Sequence, residues 1–172
     1  MSTQGATLIE PTEELTAELL AMAEEYQATG DDRYKLAIED FTAYFRSLMK
    51  YAKGVDLPLG HVPSSTFWLI SGSSRIIGRS SLRHHLTTEL EHEGGHIGYD
   101  IRPSERRKGY GTLTLKLTLE RARDIGLTRV FITCDTDNGG SAKVIEKNGG
   151  EMQGQAISNR TGKQISQYWI EL

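Results

Sequence analysis

Arg106-Arg107-Lys108-Gly109-Tyr110-Gly111-Thr112 stands between two unlike neighbours. Before it runs an apolar, strand-like segment, His96-Ile97-Gly98-Tyr99-Asp100-Ile101, closed by Pro103. After it runs a Leu-rich segment that reaches Gly126. A strand that leads through a basic, glycine-punctuated loop into a helix makes an anion cradle. Glycine lets backbone N–H groups turn inward and approach a ligand closely. The helix start adds four unpaired N–H donors and about half a positive charge. Arg and Lys add full charges, and the guest that fits is a phosphate or pyrophosphate. Taken alone, the same residues also describe a basic surface turn.

The wider pattern weighs against the plain turn. Pro103-x-x-Arg106-x-x-Gly109-x-Gly111, after a strand and before a helix, resembles the acyl-CoA pyrophosphate loop of GNAT-type N-acetyltransferases. Arg129-Val130-Phe131-Ile132-Thr133-Cys134 resembles that family's next strand. Asn138 and the run from Ser141 to Gly150 resemble its next helix and exit turn. The resemblance covers the chain from about Thr66 to the C-terminus. Neither a Walker-A pattern nor a Gly-x-Gly-x-x-Gly fingerprint is present, which argues against nucleoside-triphosphate and dinucleotide folds. The family implies an α/β fold: a mixed, mostly antiparallel sheet, helices on both faces and a central splayed strand pair. Residues 1–172 are then a single N-acetyltransferase domain.

Composition agrees with one soluble domain large enough for a core. The net charge of −3 gives no general drive toward nucleic acid or membrane. The charge is uneven: residues 1–60 hold 11 acidic and 5 basic residues, whereas residues 61–172 hold 12 acidic and 15 basic. The positive half contains the loop, as an anionic cofactor requires. Arg102, Arg106, Arg107 and Lys108 form too short a patch for nucleic acid and lack interleaved aromatics. Cys134 is the only cysteine, so no internal disulfide forms, and in an apolar strand it reads as a small buried hydrophobe. No signal peptide or apolar run near 18 residues is present, and the chain reads as cytoplasmic.

Local patterns predict the elements. Leu8-Ile9 is a short strand stopped by Pro11, and Thr12 caps a helix reaching about Ala28. Apolar residues from Tyr34 to Ala52 recur at helical spacing, and Gly54 ends that helix. Thr66–Ile70 and Arg75–Leu82 form a hairpin around Ser71-Gly72-Ser73-Ser74. Arg83 to Gly95 reads as irregular. Thr112 to Leu119 alternates like a strand, yet the resemblance implies a helix there, which gives the loop its dipole and which Gly126 suits as an end. The unit from Ile97 to Cys134 is expected to be a right-handed parallel crossover. Two strands, Glu151–Ile157 and Lys163–Leu172, close the chain, and their edges permit a homodimer.

The resemblance implies acetyl-CoA as acetyl donor and a primary amine of a small molecule or peptide as acceptor, joined by direct attack in a ternary complex. Backbone groups of Arg107, Lys108, Gly109, Tyr110, Gly111 and Thr112 would hold the diphosphate, with charge from Arg106 and Lys108. The pantetheine would pair with the edge at Tyr99, Asp100 and Ile101, and a free N–H near Ile101 would steady the thioester oxyanion. Asn138 matches the family's pantetheine contact, and capping its helix is an equal role. An alkylammonium of pKa ~10.4 is only about 0.04% neutral at pH 7, a deficit of about 4–5 kcal/mol. His96 and Glu93 lie where the family places a base, though a lone strand histidine also serves structure. Arg83 and His84 line the acceptor side or a solvated loop. Ile145 stands where relatives carry a Tyr acid. A non-catalytic CoA-binding sensor or adaptor is the alternative. No metal site is expected.

Overall fold

Alternation along a central hairpin sets the layers. The computed structural model describes residues 5–72 and 74–172; Ser73, in the expected hairpin turn, lies outside them. β1 (Thr7–Ile9), β2 (Ser64–Ile70), β3 (Ile76–Arg83) and β4 (Ile97–Ile101) form an antiparallel sheet in the order β1-β2-β3-β4. Successive side chains of a strand point to opposite faces. Phe67, Leu69 and Ile77 therefore enter one core, and Trp68 and Ile76 the other.

Helices α1 (Thr16–Ala28), α2 (Lys35–Glu39) and α3 (Phe41–Lys53) cover the Trp68 face. Thr12 accepts from the Glu14 N–H at 3.3 Å and caps the 3-10 turn Glu13–Leu15 that leads into α1. The helix expected from Tyr34 to Ala52 is two helices. Asp40 breaks it at φ −152°, and its carboxylate accepts the Ala43 N–H at 2.9 Å to cap α3. A side chain that satisfies an orphan donor competes with helix continuation. The segment expected to be irregular contains α4 (Thr88–His92), capped by Thr87, whose hydroxyl accepts the Leu90 N–H.

On the other face lies α5 (Tyr110–Asp124), so the strand-like alternation is overruled. Thr114, Leu115, Thr118, Leu119 and Ala122 are its buried stripe. Thr114 and Thr118 donate to the carbonyls of Tyr110 and Thr114, each at 2.7 Å, which lets two hydroxyls lie inside. β5 (Arg129–Asp135), α6 (Gly139–Lys147), β6 (Glu151–Ile157) and β7 (Gln164–Glu171) follow, and the strands form a second antiparallel sheet in the order β5-β7-β6.

The strand–helix–strand unit is present, and β4 and β5 are splayed into separate sheets rather than joined in a ladder, as the resemblance implies. Among the described residues the two sheets share one isolated antiparallel bridge, Gly95 with Ile132, where the His96 N–H donates to the Phe131 carbonyl at 2.7 Å. Gly94 and Gly95 carry φ of +101° and +66°. A Cβ on Gly95 would stand 2.2 Å from the Phe131 carbonyl oxygen, so only glycine admits this approach. Past it the strands part. No described helix is long and apolar enough to cross a membrane, and no cluster of potential metal ligands occurs among the described residues.

Candidate active site

Strand register decides which backbone groups of β4 are free. The Arg83 N–H donates to the His96 carbonyl at 2.7 Å, and the Arg102 N–H to the Ile77 carbonyl at 2.8 Å. Hydrogen-bonded and open pairs alternate in an antiparallel ladder. Gly98 and Asp100, opposite Ser81 and Arg79, therefore turn their main-chain groups to β3. Ile97, Tyr99 and Ile101 turn theirs outward, to the edge that β5 has left. The Ile101 carbonyl there accepts from the Tyr26 hydroxyl at 2.7 Å and from Arg106 Nε at 3.1 Å.

A cavity of ≈ 560 Å³ runs along this edge to the basic loop. Tyr99, Asp100, Ile101, Arg106, Arg107, Gly109, Gly111, Thr112 and Asn138 all line it, as do Tyr26 and Arg33 from the first helical layer. Gly109 takes the left-handed conformation at φ +86° and stands as N-cap of α5 with no side-chain cap, so the first N–H groups of the helix face the cavity uncapped. Arg107 is itself left-handed, at φ +60°. Gly111 brings α5 against α6: an added Cβ would meet Val144 Cγ2 at 3.3 Å.

Not every expected loop residue reaches this space. Lys108 Nζ is held by Glu105 at 2.9 Å, and Tyr110 packs against the main core; neither lines the cavity. The Asp100 carboxylate accepts from the Tyr34 and Tyr26 hydroxyls at 2.7 and 3.1 Å, so Asp100 forms wall rather than rung. Asn138 caps α6 by accepting the Ser141 N–H at 3.0 Å while lining the cavity. The Tyr99 hydroxyl donates to Ser141 Oγ at 3.3 Å, and burial pushes this phenol up to about 12.

A second cavity, of ≈ 710 Å³, fills the fork between β4 and β5. Glu93, Cys134, Asp135, Arg160 and Arg83 line it. Ser158 donates to Glu93 at 2.6 Å, and this bond, with Arg160 beside it at 3.6 Å, holds the Glu93 carboxyl below its ordinary range. Burial pushes the Cys134 thiol up to about 11. His96 lies elsewhere: it is 6% exposed, its Nδ1 accepts the Phe131 N–H at 2.9 Å, and it lines none of the three cavities described here. Burial lowers its pKa, and the charges of Arg83 and Arg129 lower it further. Ile145, 1% exposed, points into the core, so the position compared with a Tyr acid does not face the cofactor cavity at all.

A third cavity, of ≈ 410 Å³, lies between α3 and the faces of β2 and β3. Arg83 lines it, with Arg79, Tyr44, Tyr51 and His61. His84 does not; its Nε2 bonds Ser65 Oγ at 2.8 Å. Arg79, Tyr44, Tyr51 and His61 were not singled out by sequence. They come from an α-helix, a loop and a strand brought together only by folding, and no local motif marks them.

Comparisons with known proteins bear on the fold and the family. No curated protein matches the chain by sequence. Solved structures do match in fold. The chain is similar to the microcin C7 self-immunity acetyltransferase MccE in complex with acetyl-CoA and AMP (16% identity, 99% of this chain and 94% of that one, TM-score 0.73). It is similar to RimL, the ribosomal L7/L12 α-N-protein acetyltransferase in complex with coenzyme A (15%, 99% and 96%, TM-score 0.74). A third is a chimera of the spermidine N-acetyltransferase SpeG from Vibrio cholerae and hSSAT (14%, 98% and 96%, TM-score 0.68). The family model for the acetyltransferase (GNAT) domain matches residues 7–151, and the chain belongs to that family of acyltransferases.

Proposed function

We propose that this protein transfers an acetyl group from acetyl-CoA to a primary amine, and that the whole chain works as one N-acetyltransferase domain in the cytoplasm. The observation that carries the reading is the outward-facing edge of Tyr99 and Ile101, continuous with the uncapped start of α5. A pantetheine arm has amides spaced to pair with such an edge, and a diphosphate suits the helix start. The Ile101 N–H then faces the thioester oxygen and stabilises the tetrahedral oxyanion.

Chemistry follows from what flanks that edge. The acceptor amine attacks the thioester carbonyl from the fork side, and the C–S bond breaks to release the CoA thiolate. Glu93 is ionised and attracts the incoming ammonium, but its low basicity makes it a poor proton acceptor; water carries the proton away. His96 keeps β5 in register through Phe131 rather than acting as base. The Tyr99 hydroxyl, on turning from Ser141 Oγ, donates a hydrogen bond to the departing sulfur. Acetyl-CoA turnover with a panel of amines, followed by thiol release, tests the reading. Intersecting double-reciprocal lines are expected for a ternary complex. CoA binding without turnover of any amine would leave only a binding module.

A further inference from the structure

The cavity beside α3 is not built for a simple amine. Its lining contains no Asp or Glu, yet it holds two guanidinium groups, Arg79 and Arg83. Neither arginine has a carboxylate within 4.0 Å among the described residues, unlike the similarly enclosed Arg102, which has two. Arg79 is half-buried; desolvation opposes its charge, and Asp100 nearby, with the Tyr34 and Tyr44 hydroxyls around it, favours the protonated form. Burial, followed by repulsion from Arg79, pulls Arg83 below its ordinary range. Two like charges share one partly enclosed space whose lining carries no carboxylate, with Asp100 acting on Arg79 from outside it.

A second observation comes from Tyr44, which lies beside Arg79. Tyr44 lines the same cavity and is 7% exposed, and its buried hydroxyl makes no hydrogen bond of good geometry. A buried polar atom left single implies a missing partner. A donor beside two guanidinium groups calls for an oxygen anion.

Arg83 also fixes where that anion sits relative to the chemistry. Its Nη1 donates to the Gly95 carbonyl at 2.8 Å, at the bridge where the sheets part, and Arg83 lines the fork cavity as well. On the fork side carboxylates predominate: Glu89, Glu93 and Asp135 stand in the wall with Arg160, which lies 3.6 Å from Glu93. The molecule therefore offers carboxylates where the amine must arrive and arginines one step behind.

Resting on the acetyltransferase reading, we propose that the acceptor is an amine that also carries an oxyanion, a carboxylate or a phosphate, bound by Arg79, Arg83 and the Tyr44 hydroxyl. Polyamines, with positive charge at both ends, are excluded by the same pair of arginines.

The test separates the two layers. CoA affinity is measured first by calorimetry; its absence would sink the acetyltransferase reading itself. Glutarate and inorganic phosphate are then titrated into the CoA-saturated protein. At least one is expected to bind, and Arg79→Gln and Arg83→Gln to weaken it tenfold or more. Tyr44→Phe, which keeps volume and leaves the core filled, is expected to weaken it three- to tenfold. CoA affinity of each variant within threefold of the parent certifies its fold. Binding of glutarate alone assigns a carboxylate, and of phosphate alone a phosphorylated amine. In turnover, 4-aminobutyrate or phosphoethanolamine should exceed 4-aminobutanamide in kcat/KM by at least tenfold, and spermidine should be poorer still. Failure of both anions to bind, unchanged binding in all three variants, or a preference for spermidine would overturn the proposal and leave the acetyltransferase reading standing.

Discussion

The Tyr99 hydroxyl donates to Ser141 Oγ across 3.3 Å, tying β4 to the first turn of α6 at the wall of the cofactor cavity. On the proposed reading the pair supplies the hydroxyl that the core-facing Ile145 cannot. Tyr99→Phe is expected to lower kcat about 10- to 100-fold, within the range of a positioned proton donor. CoA affinity should change less than threefold. An unaltered kcat in a folded variant would return the leaving thiolate to solvent alone.

Gly111 sits at the second position of α5, where stability and binding diverge. An Asp there places negative charge near a helix N-terminus, which favours the helix by about 0.3–1 kcal/mol. The same charge stands where a diphosphate belongs. Gly111→Asp is expected to melt at or above the parent temperature, less any cost of the 3.3 Å approach to Val144. CoA affinity should fall at least tenfold, about 1.4 kcal/mol. Calorimetry showing equal affinity would remove the diphosphate from this loop.

Cys134 is a thiol with a pKa of about 11, almost wholly protonated at neutral pH, and so a poor nucleophile. Cys134→Ala should retain most of the turnover. Because Cys134 lines the fork, saturating CoA should slow its alkylation by iodoacetamide. Equal alkylation rates with and without CoA would show that the arm does not reach the fork.

His96 makes a prediction with a definite sign. Burial lowers its pKa in the fold, so between the folded value and the ordinary value near 6.5 the unfolded chain binds more protons. Its contribution to stability is present above pH 6.5 and is lost as pH falls through that window. His96→Asn, whose Oδ1 can take the place of Nδ1 on the Phe131 N–H, should flatten this part of the melting-temperature profile. The pH profile of kcat/KM should keep its shape and rise toward the acceptor pKa. A variant that kept its stability slope and lost a kinetic bend below 6.5 would make His96 the base.

What could be read along the chain was whatever is encoded by near neighbours. The loop from Arg106 to Thr112 carries its own glycines and charges, and its link to a helix follows from spacing. The break at Asp40 was hidden because the apolar period continues across it, and a capping bond outweighs the period. Tyr26, Arg33, Tyr44 and Arg79 escaped because their meaning depends on register and on packing between distant elements. His96 shows the reverse: its residue type fits a base, and one backbone hydrogen bond gives it another role.

Among the described residues the single bridge between Gly95 and Ile132 leaves the two sheets without the rungs that would make them one. A ligand whose amides fill those rungs acts as an added strand, shared by both halves. Fold and carrier are then thermodynamically linked. Free CoA at 100 times its Kd would add about 2.7 kcal/mol to the unfolding free energy. The protein's lifetime in the cell would thus track the supply of the carrier it consumes, with the empty form the one most open to proteolysis.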